Sequence, residues 1–265
     1  MPAPALTAKN LALTCAGRQL VHPLTFSIQG GERVALLGAS GSGKSLTASA
    51  LTGAVPDGIT VSGEVSFAAG SHETRPEGPG TAVKAALISQ DPQTSLNPLV
   101  PVGKQLLIPL LRAGSSRMDA RAKASRLLAQ AGIEDPAAVL PRYTGELSGG
   151  QLQRVCIALA LACGSRVLVA DEPTTALDAV TQLKVLSTLR AWGAEGNSLL
   201  FITHDLSAAA SLCTRALVME GGRIVEEAPM TELLRNPRHH YTRRLVEAAS
   251  GAALPPAAAR TAVAA

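Results

Sequence analysis

The chain has 265 residues, 46% of them hydrophobic but only 2% aromatic, and a formal net charge of +4. That hydrophobic share excludes a disordered chain, and the shortage of aromatics leaves Ala, Leu and Val to fill the core of one large domain or two small ones. A mild positive surplus is no nucleic-acid footprint, and no apolar run reaches the roughly 18 residues of a membrane-spanning helix. The longest apolar stretch, residues 155–163, stops at Gly164-Ser165-Arg166. The N-terminus lacks a basic segment followed by an apolar one, so no signal peptide is expected and the chain is placed in the cytosol. Cys15, Cys156, Cys163 and Cys213 show no CxxC spacing and read as small hydrophobes rather than metal ligands or disulfides.

In chain order, residues 6–14 and 20–28 read as strands about a turn at Ala16-Gly17-Arg18. After Gly30-Gly31, the short apolar run 33–37 has the character of a strand buried on both faces. It leads into a glycine-rich loop and a helix over 44–52. Residues 58–68 predict another strand, 69–80 an exposed polar loop, and 83–89 a return to strand. Helices follow over 102–112 and 117–131. The second carries Ala120, Ala124, Leu127, Leu128 and Ala131 on one face and Arg117, Arg121, Lys123 and Arg126 on the other, a solvated face rather than a nucleic-acid stripe.

Beyond Gly149 a helix to 163, a strand 167–170, a helix 179–192 and a strand 198–203 are predicted. A helix after Asp205 and strands over 216–219 and 223–226 complete the pattern. Alternating helices and apolar strands predict a parallel sheet covered on both sides. The helical stretch between 91 and about 147 reads as an inserted subdomain. The Ala- and Pro-rich end from Gly251 is expected to fray.

Gly38-Ala39-Ser40-Gly41-Ser42-Gly43-Lys44-Ser45 fits GxxxxGK[ST] between a predicted strand and a predicted helix. Glycines let successive backbone N–H groups turn around phosphate oxygens, and the helix N-terminus adds partial positive charge. Lys44 is suited to the β- and γ-phosphates and the Ser45 hydroxyl to Mg²⁺. Alone, the loop says only nucleoside triphosphate.

The strand ending in Asp171-Glu172 supplies the complement, since ligands in such sheets bind at the strands' carboxyl ends. Asp171 is expected in the Mg²⁺ shell, Glu172 as general base on the attacking water, and His204 near the γ-phosphate at the same edge.

Leu147-Ser148-Gly149-Gly150-Gln151 opens a helix as a second anion cradle. It resembles the signature motif of the ABC transporter ATPases, and the resemblance runs from about residue 6 to residue 248. Gln90 is similar to the family's loop glutamine that contacts Mg²⁺. Thr175-Ala176-Leu177-Asp178 is similar to the loop after the two carboxylates, and Thr203-His204-Asp205 to its switch histidine. The resemblance implies an α/β P-loop fold with a mixed sheet core, an N-terminal antiparallel β subdomain and an inserted helical subdomain. It places a nucleotide-binding unit over 6–250, with a RecA-like core at about 1–90 and 150–228 and the helical subdomain at about 91–149. A helical extension over 229–250 and a flexible tail over 251–265 would follow.

It also implies that ATP sits between two chains head to tail, with Ser148, Gly149, Gly150, Gln151 and Asp178 serving the nucleotide of the opposite subunit. One departure is that no aromatic residue stands near 15–18 to stack on adenine. Arg18 and His22 are the available substitutes, Phe26 reading as core.

Three segments are similar to importers of peptides and nickel: 90–98 (Gln-Asp-Pro-Gln-Thr-Ser-Leu-Asn-Pro), 170–178, and 236–245. In the last, His240 stands where that group has Pro in Pro-x-His-Pro-Tyr-Thr. The absence of any cysteine after Cys213, the short length and the Ser-Leu-Thr after Lys44 resemble the nickel-type subunit, without the group's iron–sulfur C-terminus. A peptide or metal–opine importer is the alternative. Two permease subunits, a sister ATPase and an extracytoplasmic binding protein are the implied partners at the inner face of the cell membrane. Nucleic acid is not among them. A soluble, non-transport ABC ATPase is the competing class. The pair His239-His240 reads as a solvated turn rather than a metal sensor.

Overall fold

In the computed structural model, which describes residues 4–68, 84–175 and 177–252, two strands, β1 (Leu6–Cys15) and β2 (Arg18–Ile28), pair antiparallel. Their tight turn at Ala16-Gly17 puts both residues at positive φ. The chain crosses to a second sheet as β3 (Arg33–Leu37) and enters α1 (Lys44–Thr52), which Gly53 stops at φ 74°. β4 (Ile59–Phe67) comes back to β1 and completes a three-stranded antiparallel sheet in the order β2-β1-β4. β5 (Ala86–Ile88) leads to a run of helices: α2 (Pro92–Ser95), α3 (Val102–Arg112), α4 (Arg117–Gln130) and α5 (Pro136–Val139). A 3-10 turn at Thr144–Glu146 precedes α6 (Gly149–Ala162). Then come β6 (Val167–Asp171), α7 (Ala179–Ala194), β7 (Ser198–Thr203) and α8 (Leu206–Leu212). The hairpin β8 (Arg215–Glu220) and β9 (Arg223–Pro229) is followed by α9 (Met230–Arg235) and α10 (His240–Ala252).

The second sheet has six strands in the order β5-β6-β7-β3-β8-β9. The first five are parallel, and β9 is antiparallel to β8. The sheet is thus mixed, as the family resemblance implies: only Gly221-Gly222 separates β8 from β9, far too little chain for a parallel crossover. The strand expected over 83–89 shrinks to three residues because β5 is an edge strand with β6 as its partner, and it leaves that ladder ahead of Gln90. At the other end α10 runs on to Ala252, past the point where fraying was expected. The polar loop over 69–80 and the tail beyond 252 lie outside the described residues.

The strands of the six-stranded sheet carry apolar side chains on both faces, and the period of two sorts them. Val34, Leu36, Val167, Val169, Leu200, Ile202, Leu217 and Met219 pack with α1 and the antiparallel sheet. Ala35, Leu37, Leu168, Ala170, Leu199, Phe201, Ala216 and Val218 pack against the helical layer. Burying each large aliphatic side chain stabilises by roughly 1.5–3 kcal/mol, and the alanines let the helices approach the sheet closely around Phe201. The four cysteines are free thiols, and burial pushes Cys156 and Cys213 up to about 12, which makes them inert.

Candidate functional site

Parallel pairing brings four distant segments to one edge. Leu37 of β3 stands beside Thr203 of β7, Ile202 beside Asp171 of β6, and Ala170 beside Ile88 of β5. The residues that follow these strand ends are the phosphate loop, Glu172, His204 and Gln90. The carboxyl edge of the sheet therefore collects them.

The loop is held from below by β8 and β9. A Cβ on Gly38 would overlap the Met219 carbonyl oxygen and stand 2.7 Å from Ser42 Oγ, so only glycine fits. Gly43 takes φ 102° and a side chain there would meet Met219 Cε and Val21. The Gly222 N–H donates to the Ser42 carbonyl (3.0 Å), and the His22 N–H donates to the Gly222 carbonyl (2.8 Å), tying β2, hairpin and loop together. At Gly43 no side chain caps α1, so its first-turn N–H groups keep their partial positive charge for an anion. Lys44 is 5% exposed, and its Nζ donates to the carbonyl oxygens of Gly38 and Ala39, each at 2.8 Å. Burial pulls its pKa down, against the charges of Glu172 and Asp171. Beneath the loop, burial raises the Tyr241 phenol of α10, whose polar neighbour is the Ala39 amide.

Asp171 is 4% exposed and its Oδ1 has no hydrogen-bond partner, while the Ser45 hydroxyl bonds the same carboxylate. Burial raises its pKa and Glu172 adds to the rise, opposed by the Ser45 bond and by Lys44. A buried carboxylate oxygen without a protein partner, beside a hydroxyl, is the donor set of a hard cation. Glu172 takes φ 47°, a left-handed conformation fixed by its N–H bond to the Ile202 carbonyl (2.9 Å). Its Oε1 lies 3.3 Å from His204 Nδ1, and its Oε2 accepts the Thr175 hydroxyl at 3.0 Å. Behind His204, Asp205 accepts from the amides of Ser207 and Ala208 and so starts α8.

The second group sits at two helix starts. Ser148 caps α6 in a reciprocal box: its hydroxyl accepts the Gln151 N–H, and Gln151 Oε1 accepts the Ser148 N–H (3.0 Å). The Ser148 oxygen and the Gln151 side chain are thus engaged within their own chain, which leaves the Ser148 proton and the glycine amides as donors to an anion. Gly150 faces Leu177 and Arg154. Arg154 donates to the carbonyls of Gly150 and Gly132, fastening this helix to the end of α4. Asp178 caps α7 through Thr181, and these bonds lower its pKa.

Arg18 is exposed and His22 half-buried on β2. Sequence reasoning missed Thr175, which orients Glu172, and the β8–β9 floor of the loop. Thr175 was quoted only as part of a motif, and nothing in the sequence of 215–229 announces its pairing with the loop.

The family model described as "ABC transporter" matches residues 21–175. A Sinorhizobium fredii protein described as "Probable peptide ABC transporter ATP-binding protein y4tR" is 41% identical over 84% of this chain and 69% of its own length. "Probable D,D-dipeptide transport ATP-binding protein DdpD" of Escherichia coli is 38% identical over 94% of this chain and 79% of its own. Among solved structures, the dimeric ATP-binding cassette MJ0796 in a post-hydrolysis state with ADP and Pi superposes with a TM-score of 0.73 at 27% identity. That match covers 85% of this chain and 98% of the other.

Proposed function

Because the chain belongs to the ABC transporter family, as an ATP-binding and ATP-hydrolysing cassette, we propose that it powers uptake of a peptide-class substrate through partner permeases. The observation that carries the ATPase chemistry is the buried Asp171 oxygen without a protein partner, beside Ser45 and within the field of Lys44. Ser45, Asp171 and Gln90 would hold Mg²⁺, which neutralises charge developing on the phosphates. Lys44 gives up the carbonyls of Gly38 and Ala39 for the β- and γ-phosphates. Glu172, oriented by Thr175 and His204, accepts the proton of a water that attacks the γ-phosphorus as the bond to the ADP oxygen breaks. Ser148, Gly149, Gly150, Gln151 and Asp178 serve the nucleotide of a facing subunit.

In this reading residues 6–250 form the nucleotide-binding unit, with its core at about 1–90 and 150–228 and its helical subdomain at about 91–149. Residues 229–250 extend it, and the unit works at the inner face of the cell membrane with two permeases, a sister ATPase and a substrate-binding protein. No helix among the described residues is long and apolar enough to cross a membrane.

The substrate assignment revises the order in which nickel and peptides stood. Nickel rests on Ser45-Leu46-Thr47, whereas the two relatives above are named for peptide and D,D-dipeptide transport. Uptake of labelled di- and oligopeptides and of free and chelated nickel is measured in cells lacking this gene, with and without a rescuing copy. Peptide uptake lost and rescued supports the proposal. Loss of nickel uptake alone restores the metal reading, and no loss of either points to the non-transport class.

A further inference from the structure

The β8–β9 turn and the start of α10 bring together three side chains that the ATPase chemistry does not use. Glu220 ends β8, and His239 and His240 stand at the entry to α10. One donor atom from each lies within 4.8 Å of the other two. Glu220 Oε2 is 3.8 Å from His240 Nε2 and 4.0 Å from His239 Nδ1, and the two imidazoles stand 4.3 Å apart at 47°. Donors at about 2.0–2.2 Å from a tetrahedral zinc stand about 3.3–3.6 Å apart. Small side-chain rotations close the gap, and the ring of His239 trades its long, 3.3 Å contact with the Tyr241 amide for the ion.

The backbone beneath these ligands is already fixed. Glu226, 8% exposed, accepts the N–H groups of Arg238 (2.9 Å) and His239 (2.8 Å) through its two oxygens. Such a buried anchor sets the position of the two histidines before any ligand arrives.

We propose that Glu220, His239 and His240 form a binding site for a borderline divalent transition-metal ion, zinc being the probe, with water as the fourth ligand. Two neutral imidazoles and one carboxylate suit zinc, nickel or copper over magnesium or calcium. None of the three is among the residues proposed to hold the nucleotide, and the site joins α10 to the hairpin whose Gly222 holds Ser42. An ion there fastens the C-terminal helix to the floor of the phosphate loop. The proposal goes beyond the transport reading and holds whichever substrate is carried.

The test is zinc titration by calorimetry on the full chain, stripped with a chelator and free of nucleotide, beside His240→Ala and Glu220→Gln. His240 is largely exposed, so its replacement does not threaten folding. One zinc per chain is expected, weakened at least tenfold in each variant, the range seen when the shell around a bound metal is damaged. Copper(II) bound to the wild type should show electron-spin hyperfine structure from two nitrogens, and from one in His240→Ala. No zinc binding, or binding equal in wild type and both variants, overturns the proposal, since the ion would then sit on thiols or other histidines.

Discussion

Replacing Asp171 by Asn should stabilise the nucleotide-free protein. The carboxylate is 4% exposed, one oxygen lacks a partner, and burial and Glu172 together raise its pKa. A buried acceptor left unpaired costs about 1–3 kcal/mol, more when charged. The Ser45 bond and Lys44 return part of that, and Asn keeps an acceptor for Ser45 but adds two donors that need partners. The net gain is therefore about 1–2 kcal/mol, or roughly 2–8 °C in Tm for a chain of this size. The folded pKa lies above the ordinary 3.8, so the native state holds the proton more tightly. Wild-type stability from this group is full below about 3.8 and falls as pH rises through the folded value. The variant's advantage is thus present at neutral pH and absent in acid. Thermal unfolding with a chelator at pH 7 and pH 3.5 measures both. Added MgATP should reverse the order, since ligand at a hundred times its Kd stabilises the wild type by about 2.7 kcal/mol and the variant far less. An apo variant no more stable than wild type at pH 7 refutes the reasoning.

Three further outcomes are expected. Glu172→Gln should bind ATP, turn over at least a hundredfold more slowly, and accumulate as a closed dimer in size-exclusion chromatography; normal hydrolysis would remove Glu172 as base. Lys44→Ala should lose nucleotide affinity at least tenfold in a fluorescent-ATP titration, and unchanged affinity would overturn the reading of the loop. Glu226→Gln loses one of two amide acceptors and should raise amide hydrogen exchange at the start of α10, with a cost of about 1 kcal/mol. The Glu226 pKa is lowered by Thr242, the two amides and His239 despite the opposing effect of burial. Its contribution is present above the ordinary 4.5 and lost as pH falls through the folded value, so variant and wild type should converge in acid.

Most of this architecture was legible in chain order because local rules set it. β3, α1, α3 and β7 begin and end where the apolar runs and glycines say they should. Asp171 ends β6 and His204 follows β7 at the carboxyl edge, because parallel pairing carries the ends of those two strands there. What stayed hidden was the tertiary pairing of residues far apart in sequence. His239-His240 looked like a solvated turn because its third partner, Glu220, arrives from a different hairpin. Glu226 reads as one more strand carboxylate until the turn at 238–239 folds onto it. The register of β1 shifts between Ala8 and Leu11 against β2 and between Lys9 and Ala12 against β4, about Asn10 at φ 49°, which no period in one segment reveals.

The floor beneath the phosphate loop bears on where such a gene could be cut. Every motif proposed to serve the nucleotide lies before Leu206, and the family model matches only through residue 175. Yet Gly38 and Gly43 rest on Met219, and Ser42 is held by Gly222. A shortened chain ending after Asp205 would keep all the recognised motifs and lose the seat that shapes them. Recombination or truncation that respects the motifs alone would therefore yield an inert product, and the smallest inheritable working unit must reach at least to the end of β9.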